Sequence, residues 1–318
     1  LTPFADVALS ATLPTALCLW CSEEVDYATW PRTKPSPHDL EPARGASPSG
    51  GTVLLRPQRL ARHARPAVDV DVLSGLTRNG TRKDDDVDQT TDALRQLVAV
   101  SSRVMAANGS SDLIWGHVSA RDPHGRGVWL KQGSYGLDEI RPDRVHLVGW
   151  EGDVVEGGGQ RHAEWPIHTE VMAARPDVGG VVHVHSRYAV ALAASGVPLL
   201  PVSHEANYFA PTGVPRFDET ADLIVTTRLG RAVATTLGSS VAAFLVNHGV
   251  VTTGRDLRAA TVAAIILDRA CSQQLLTAGF GGEPVWSDPE ESLRKREHIY
   301  TEAAINQVWD YLERRLDA

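Results

Sequence analysis

His183 and His185 stand two residues apart in Val182-His183-Val184-His185, at the end of an apolar run. Successive side chains on a strand point to opposite faces, so residues at this spacing share a face and present two imidazoles to one point. A third imidazole, His248, lies about sixty residues on in Asn247-His248-Gly249, directly after a second apolar run, Val241 to Val246. Three ring nitrogens converging from two strand ends form a facial set around a divalent ion. That set leaves a position open for substrate, as catalytic metal sites require. A His-x-His pair alone is more often a pair of satisfied strand-edge histidines. The third imidazole, with an acid upstream at Glu164, favours metal binding.

Glu164 belongs to Arg161-His162-Ala163-Glu164-Trp165-Pro166-Ile167-His168. A carboxylate there can be a fourth metal ligand or a general base. A neighbouring dication would depress its pKa, and displacement from the ion by substrate would restore its basicity. The bland alternative is a helix-start glutamate favoured by the helix dipole. His168 follows four residues later and shares a helix face with Glu164 if the helix begins early enough. His162 and His168 are read as candidate substrate contacts, with surface or packing roles as the alternative.

These groups need strands and helices to position them. Helical spacing of Ala93, Leu94, Leu97, Val98, Val104 and Met105 predicts a helix from near Asp88, stopped by Asn108-Gly109. Strand-like stretches follow at residues 113–119, 127–131 and 144–148. Pro166 to Ala174 suits a helix with proline in its first turn, and 178–184 reads as a buried strand. Ser186 is placed to cap a helix over 188–194 that Gly196 closes. Residues 241–246 read as another strand, and Asp256 opens a long apolar helix to Gly279. The tail from Asp288 to Leu316 is charged and amphipathic. Strands interspersed with helices give an α/β layered domain.

The chain has 318 residues and a formal net charge of −8, which argues against nucleic acid or an anionic membrane as principal partner. It leaves room for an anionic substrate drawn in by a metal and a few arginines. Three cysteines imply no disulfide framework. Cys18-x-x-Cys21 lacks a second pair, and Cys271 falls in an apolar helical stretch that predicts packing. No membrane span or signal peptide is read, so a cytoplasmic location is expected. Residues 1–85 carry scattered Pro, Gly, Arg and Ser, and no Met precedes Met105. They are expected to be a disordered tail or, preferably, sequence ahead of a non-AUG start near Val70 to Leu73. The catalytic domain is placed at 86–318.

From Glu164 to Ala193, and again from Asn247 to Gly254, the chain strongly resembles the class II aldolase/adducin family. The resemblance covers about residues 88–285. It implies a three-layer α/β/α domain with a central, mostly antiparallel sheet, and a Zn²⁺ or similar dication (Mn, Fe or Co). By resemblance His183, His185 and His248 are the ligands, and Glu164 is the acid serving as ligand or base. It also implies a homotetramer with sites at subunit interfaces.

The departures bear on substrate. Sugar-phosphate aldolases of this family carry hydroxyl-rich clusters that cradle phosphate. Here those segments read Ile114-Trp115-Gly116-His117-Val118-Ser119 and His162-Ala163-Glu164. Losing several charge-assisted hydrogen bonds, each worth about 1.5–3 kcal/mol, disfavours a phosphosugar. Trp115 and His117 suit stacking on an aromatic substrate or hydrogen bonding to its oxygens; the alternative is a core tryptophan and a satisfied strand histidine. The segments Asn108–Ser119 and Arg161–His168 look most like the branch containing 3,4-dihydroxyphthalate decarboxylase. His204 and Tyr208 lie near where family aldolases carry an interface acid and are candidate proton donors, Tyr208 also a substrate contact.

The expectation is a metal-dependent lyase decarboxylating a hydroxylated aromatic carboxylate, with Glu164, His117 and His204 as proton-transfer candidates. Three alternatives share the scaffold. They are an aldolase on a non-phosphorylated hydroxy-keto substrate, a non-haem iron oxygenase, and an adducin-like structural head without metal chemistry.

Overall fold

The computed structural model describes residues 82–316. The expectations for the N-terminal extension and for Cys18 and Cys21 lie outside the described residues, apart from the extension's last four positions. Those open helix α1 (Arg82–Met105), which begins six residues before the expected start. Val98, Val104 and Met105 of α1 are buried. The helix ends where the sequence places its stop, with Asn108 leaving helical geometry and Gly109 at φ 89°.

Eight strands make one sheet: β1 (His117–Arg121), β2 (Gly127–Lys131), β3 (Val145–Gly149), β4 (Val154–Glu156), β5 (Gly180–Val184), β6 (Arg216–Phe217), β7 (Ala242–Leu245) and β8 (Gly249–Gly254). Their spatial order is β4-β3-β2-β1-β5-β8-β7-β6. Neighbours are antiparallel throughout, except that β6 pairs β7 in parallel. The remaining helices are α2 (Trp165–Ala174), α3 (Arg187–Ser195), α4 (His204–Asn207), α5 (Thr227–Leu237), α6 (Leu257–Gly279), α7 (Pro289–Ile299) and α8 (Glu302–Arg314).

Strand alternation divides the core into two layers. On β5, Val182 and Val184 pack with Val98 of α1, Leu267 of α6 and Trp309 of α8. Val181, on the opposite face, packs with Ile167 and Met172 of α2 and with Val233 and Leu237 of α5. The result is the expected three-layer α/β/α domain around a mostly antiparallel sheet. β5 is hydrophobic on both faces because helices cover both.

Three local expectations need correction. Residues 113–116 form a turn rather than the start of a strand, with Leu113 at φ 52° and Gly116 at φ 77°, so β1 begins only at His117. Ser186 stands at the N-cap of α3 but makes no capping bond; its Oγ pairs with Ser110 Oγ at 2.8 Å. Asp268 instead accepts the backbone N–H of Tyr188 and Ala189 through one oxygen, at 2.9 and 3.0 Å, satisfying donors that the helix start leaves open. β8 lies outside the sequence-based expectation, because Val250-Val251-Thr252-Thr253 follows β7 with only a tight turn between. Cys271 is buried on α6 and its thiol pKa is pushed up by burial, as packing predicts. Among the described residues no helix is long and apolar enough to cross a membrane.

Candidate metal centre

β1 and β5 are antiparallel with His117 opposite His183. Opposed residues point to the same face. It is the face that carries Val181, beneath α2 and α5. His185 lies one residue beyond β5, yet its Nε2 comes within 3.2 Å of His183 Nε2. His248 sits in the tight turn joining β7 to β8, which pair at Leu245 and Gly249. Asn247 takes φ 57° in that turn, a left-handed conformation that asparagine tolerates.

Gly249 is required by close approach. A Cβ there would stand 2.7 Å from His185 Cδ2, 2.9 Å from the Val184 carbonyl oxygen and 3.0 Å from His183 Cε1. The bare backbone of β8 lets both rings lie over it.

One ligand atom from each of His183, His185 and His248 lies within 4.8 Å of the others. Glu164, at the N-cap of α2, aims its carboxylate into this group rather than at its own helix. Its Oε1 is 3.5 Å from His248 Nε2. Its Oε2 is 3.8 Å from His183 Nε2 and 3.6 Å from His117 Nε2. Oε1 also accepts the backbone N–H of Ile224 at 2.8 Å, which anchors the side chain. Burial pushes the carboxyl pKa up, with the Ile224 N–H opposing.

His183, His117 and His248 are held neutral by their surroundings. Burial lowers His183 and His117 well below the usual histidine range, and neighbouring rings lower them further. His248 is brought down to about 4 by burial and then by His185. Neutral imidazole is the metal-binding form. The donors also fit an ion sterically. Zn–N bonds of about 2.0–2.1 Å in tetrahedral array put ligand nitrogens about 3.3 Å apart, beside the 3.2 Å of His183 and His185. His248 Nε2 is buried with no hydrogen-bond partner among the described residues, and a coordinated ion would satisfy such a buried polar atom. The residues present therefore fit a divalent cation. Asp112 Oδ2 accepts from His185 Nδ1 at 2.7 Å, which turns the Nε2 lone pair toward the centre in the manner of carboxylate–histidine–metal triads.

A second group adjoins the first. Ligand atoms of His117, His162 and Glu164 also lie within 4.8 Å of one another, and the His117 and His162 ring centroids are 3.9 Å apart. His117 Nδ1 contacts His168 Nε2 at 2.5 Å, and His168 Nδ1 contacts Ser119 Oγ at 2.6 Å. Glu164 and His168 thus both reach His117 from the start of α2. Burial brings His162 and His168 down to about 3, Lys131 adding to the effect on His162 and His162 to that on His168. Lys131 is fully buried and donates to the Ile114 and Tyr135 carbonyls at 3.1 and 2.6 Å. Its own pKa falls to about 8 through burial.

Other expected residues are placed differently. Trp115 is 47% exposed, in the turn whose Asp112 holds His185, so it is not a core residue. His204 is exposed in α4. Tyr208 is buried against Phe209 and Tyr300, at ring distances of 5.2 and 5.0 Å, in the core layer of α1 and α6. Within one chain the structure brings neither His204 nor Tyr208 into the imidazole cluster. Asp112, Ser119 and Lys131 escape the sequence reading. Asp112 and Ser119 lie inside the segment singled out around Trp115, but nothing in their spacing names their partners.

The family model for the Class II Aldolase and Adducin N-terminal domain matches residues 96–275. A relative from Streptomyces roseochromogenus subsp. oscitans, named 4-hydroxy-3-prenylphenylpyruvate oxygenase/4-hydroxy-3-prenylbenzoate synthase, is 35% identical over 195 residues, 59% of this chain and 69% of that protein. A 3,4-dihydroxyphthalate decarboxylase from Terrabacter sp. (strain DBF63) is 32% identical over 202 residues, 60% of this chain and 83% of that protein. Among solved structures, an aldolase II superfamily protein from Pseudomonas syringae superposes with a TM-score of 0.66 at 25% identity, covering 74% of this chain and 96% of that one.

Proposed function

The chain belongs to the class II aldolase and adducin family, and from that membership we propose that it is a metal-dependent carbon–carbon lyase decarboxylating a hydroxylated aromatic carboxylate. The observation that carries this reading is the convergence of His183, His185 and His248 beside the buried Glu164 carboxylate. Phosphate is disfavoured because imidazoles and Ala163 stand where a hydroxyl-rich cradle would be needed.

His183, His185 and His248 would hold the cation, with Glu164 as a further ligand that substrate can displace. When bound, the ion supplies Lewis-acid stabilisation of the negative charge that develops on substrate oxygen. In the step, electrons of an ionised ring hydroxyl enter the ring as the carbon bearing the carboxylate takes up a proton. The bond from that carbon to the carboxylate then breaks, CO₂ departs, and the bonding pair restores the aromatic ring and the phenolate oxygen. The reaction therefore needs a donor that brings one proton to carbon. Glu164, whose burial favours the protonated acid, is placed to hold and deliver it, with His117 as the neighbouring donor. In this reading Trp115 and His162 would contact the aromatic ring of the substrate, and His168 would act on it through its contact with His117. A homotetrameric assembly belongs to the same proposal, in which the exposed His204 is offered to a neighbouring chain's site. So does a cytoplasmic location.

An oxygenase is the second reading, favoured by the name of the Streptomyces roseochromogenus relative. One experiment separates the readings. Metal content is measured on purified protein, and CO₂ release is followed on dihydroxybenzoates and dihydroxyphthalates, with and without chelator, in air and under nitrogen. The lyase reading expects chelator-sensitive CO₂ release that proceeds without oxygen. Release that requires Fe²⁺ and O₂ would establish the oxygenase, and no release from any substrate would remove the decarboxylase.

A further inference from the structure

Ser119, His168 and His117 form a chain of two short contacts, 2.6 and 2.5 Å, leading from the buried strand β1 to the edge of the metal centre. Each contact needs one proton between its two atoms, so the chain runs in one of two directions. Outward, His117 Nδ1–H donates to His168, and His168 Nδ1–H donates to Ser119 Oγ. The Ser119 hydroxyl proton then needs another acceptor. Ser119 is fully buried, and its only hydrogen-bond partner among the described residues is His168. A stranded buried donor loses its hydrogen bond to water and gains none in return. The outward direction also turns the His117 Nε2 lone pair toward the Glu164 carboxylate, 3.6 Å away.

Inward, the Ser119 hydroxyl donates to His168 Nδ1, and His168 Nε2–H donates to His117 Nδ1. Every proton in the chain then has an acceptor except the last, on His117 Nε2. That atom is buried and has no hydrogen-bond partner among the described residues, and it faces the site. A cation at the three imidazoles favours the ionised form of Glu164, and toward that carboxylate an N–H is attractive where a lone pair is repulsive.

We propose that Ser119 and His168 lock His117 as its Nε2–H tautomer, so that His117 is not a ligand of a second cation but a donor subsite for an anionic oxygen of the substrate, such as its carboxylate. The site is then divided by proton inventory. His183, His185 and His248 turn lone pairs to one cation, while His117 turns a hydrogen to the group beside it. Ser119 and His168 are positioning residues; His117 touches the ligand. The inference rests on the metal-centre reading above, and it decides against a two-metal site that the His117, His162 and Glu164 atoms would otherwise permit by distance.

The test uses the full chain loaded with zinc and carrying ¹⁵N-labelled histidine. Long-range proton–nitrogen correlation spectra report which ring nitrogen of His117 and His168 bears hydrogen, His117→Gln and His168→Gln supplying the assignments. The expected result is Nε2–H on both, with one zinc per chain and an unchanged zinc count in His117→Gln. Ser119→Ala should give His117 mixed tautomers, and Ser119→Thr should restore the single form. In calorimetry, 3,4-dihydroxybenzoate should bind more tightly than catechol, and His117→Gln should narrow that ratio about tenfold, as loss of a bond to a charged group implies. Nδ1–H on His117 in the unaltered protein, a second zinc lost in His117→Gln, or a ratio unmoved by that substitution would each overturn the proposal. None of these readouts needs turnover, so absence of CO₂ release would remove the proposed reaction and leave the tautomer assignment standing.

Discussion

Asp112→Ala isolates what a single outer carboxylate does for the metal centre. Asp112 Oδ2 accepts from His185 Nδ1 at 2.7 Å across 73 residues of chain. Its removal frees the ring to rotate and to exchange tautomers, which takes the Nε2 lone pair off the centre part of the time. Partners of this kind contribute about 10–100-fold to metal affinity. The His185 side chain is 18% exposed and that of Asp112 37%, so water can replace part of the lost acceptor. The expected loss is accordingly in the lower part of the range, about 10–30-fold, or about 1.4–2 kcal/mol. Asp112→Asn keeps an acceptor oxygen without the charge and should lose about 3–5-fold. The surrounding turn should survive both changes, because the Trp115 N–H bonds to the main-chain oxygen of Asp112 at 2.9 Å. Zinc affinity, measured by competition with a chromophoric chelator, checks the sequence of effects. An Asp112→Ala affinity within twofold of the unaltered protein, with His185→Ala losing zinc, would refute the argument that the carboxylate orients this ligand.

Three further outcomes are expected. His183→Ala should abolish both metal content and turnover, whereas Glu164→Gln should keep much of the metal and lose turnover; an unchanged rate in the glutamine variant contradicts the role assigned to Glu164. Gly249→Ala forces a Cβ to 2.9 Å from the Val184 carbonyl oxygen, which belongs to β5 and cannot rotate away. It should destabilise by about 1–3 kcal/mol and weaken zinc binding, read by urea unfolding and the same competition assay. Acid should destabilise the metal-free protein. His162 and His168 are held at about 3 and His248 at about 4, chiefly by burial, below the usual value near 6.5. Between those values and pH 6.5 the unfolded chain binds more protons, so this contribution is present above pH 6.5 and is lost as pH falls through the window. The raised Glu164 carboxyl works in the opposite sense, losing stability as pH rises through its own value. Unfolding free energies from pH 7 to 4 should fall, and His168→Phe should flatten the slope by about one proton; an unaltered slope would contradict this account of the buried ring.

What was legible in the sequence follows from the range over which each signal acts. The facing of His183 and the proximity of His185 follow from strand alternation over three residues, and His248 from the tight turn after an apolar strand. Local rules also place the stop at Asn108-Gly109 and the cap at Asp256, whose side chain accepts the Ala259 N–H at 2.9 Å. The contacts that tune the site obey no local rule. Ser119 meets His168 across 49 residues, Glu164 meets Ile224 across 60, and Lys131 is identified only by the carbonyls it reaches in a neighbouring turn. These pairings exist because β1 lies beside β5 and α2 crosses that face, which is a property of topology. A histidine recognised by its motif can therefore be placed in the site from sequence. Whether it offers a lone pair or a hydrogen is set by a serine hydroxyl two bonds down the chain of contacts, and that distinction separates a ligand of a cation from a donor to a substrate.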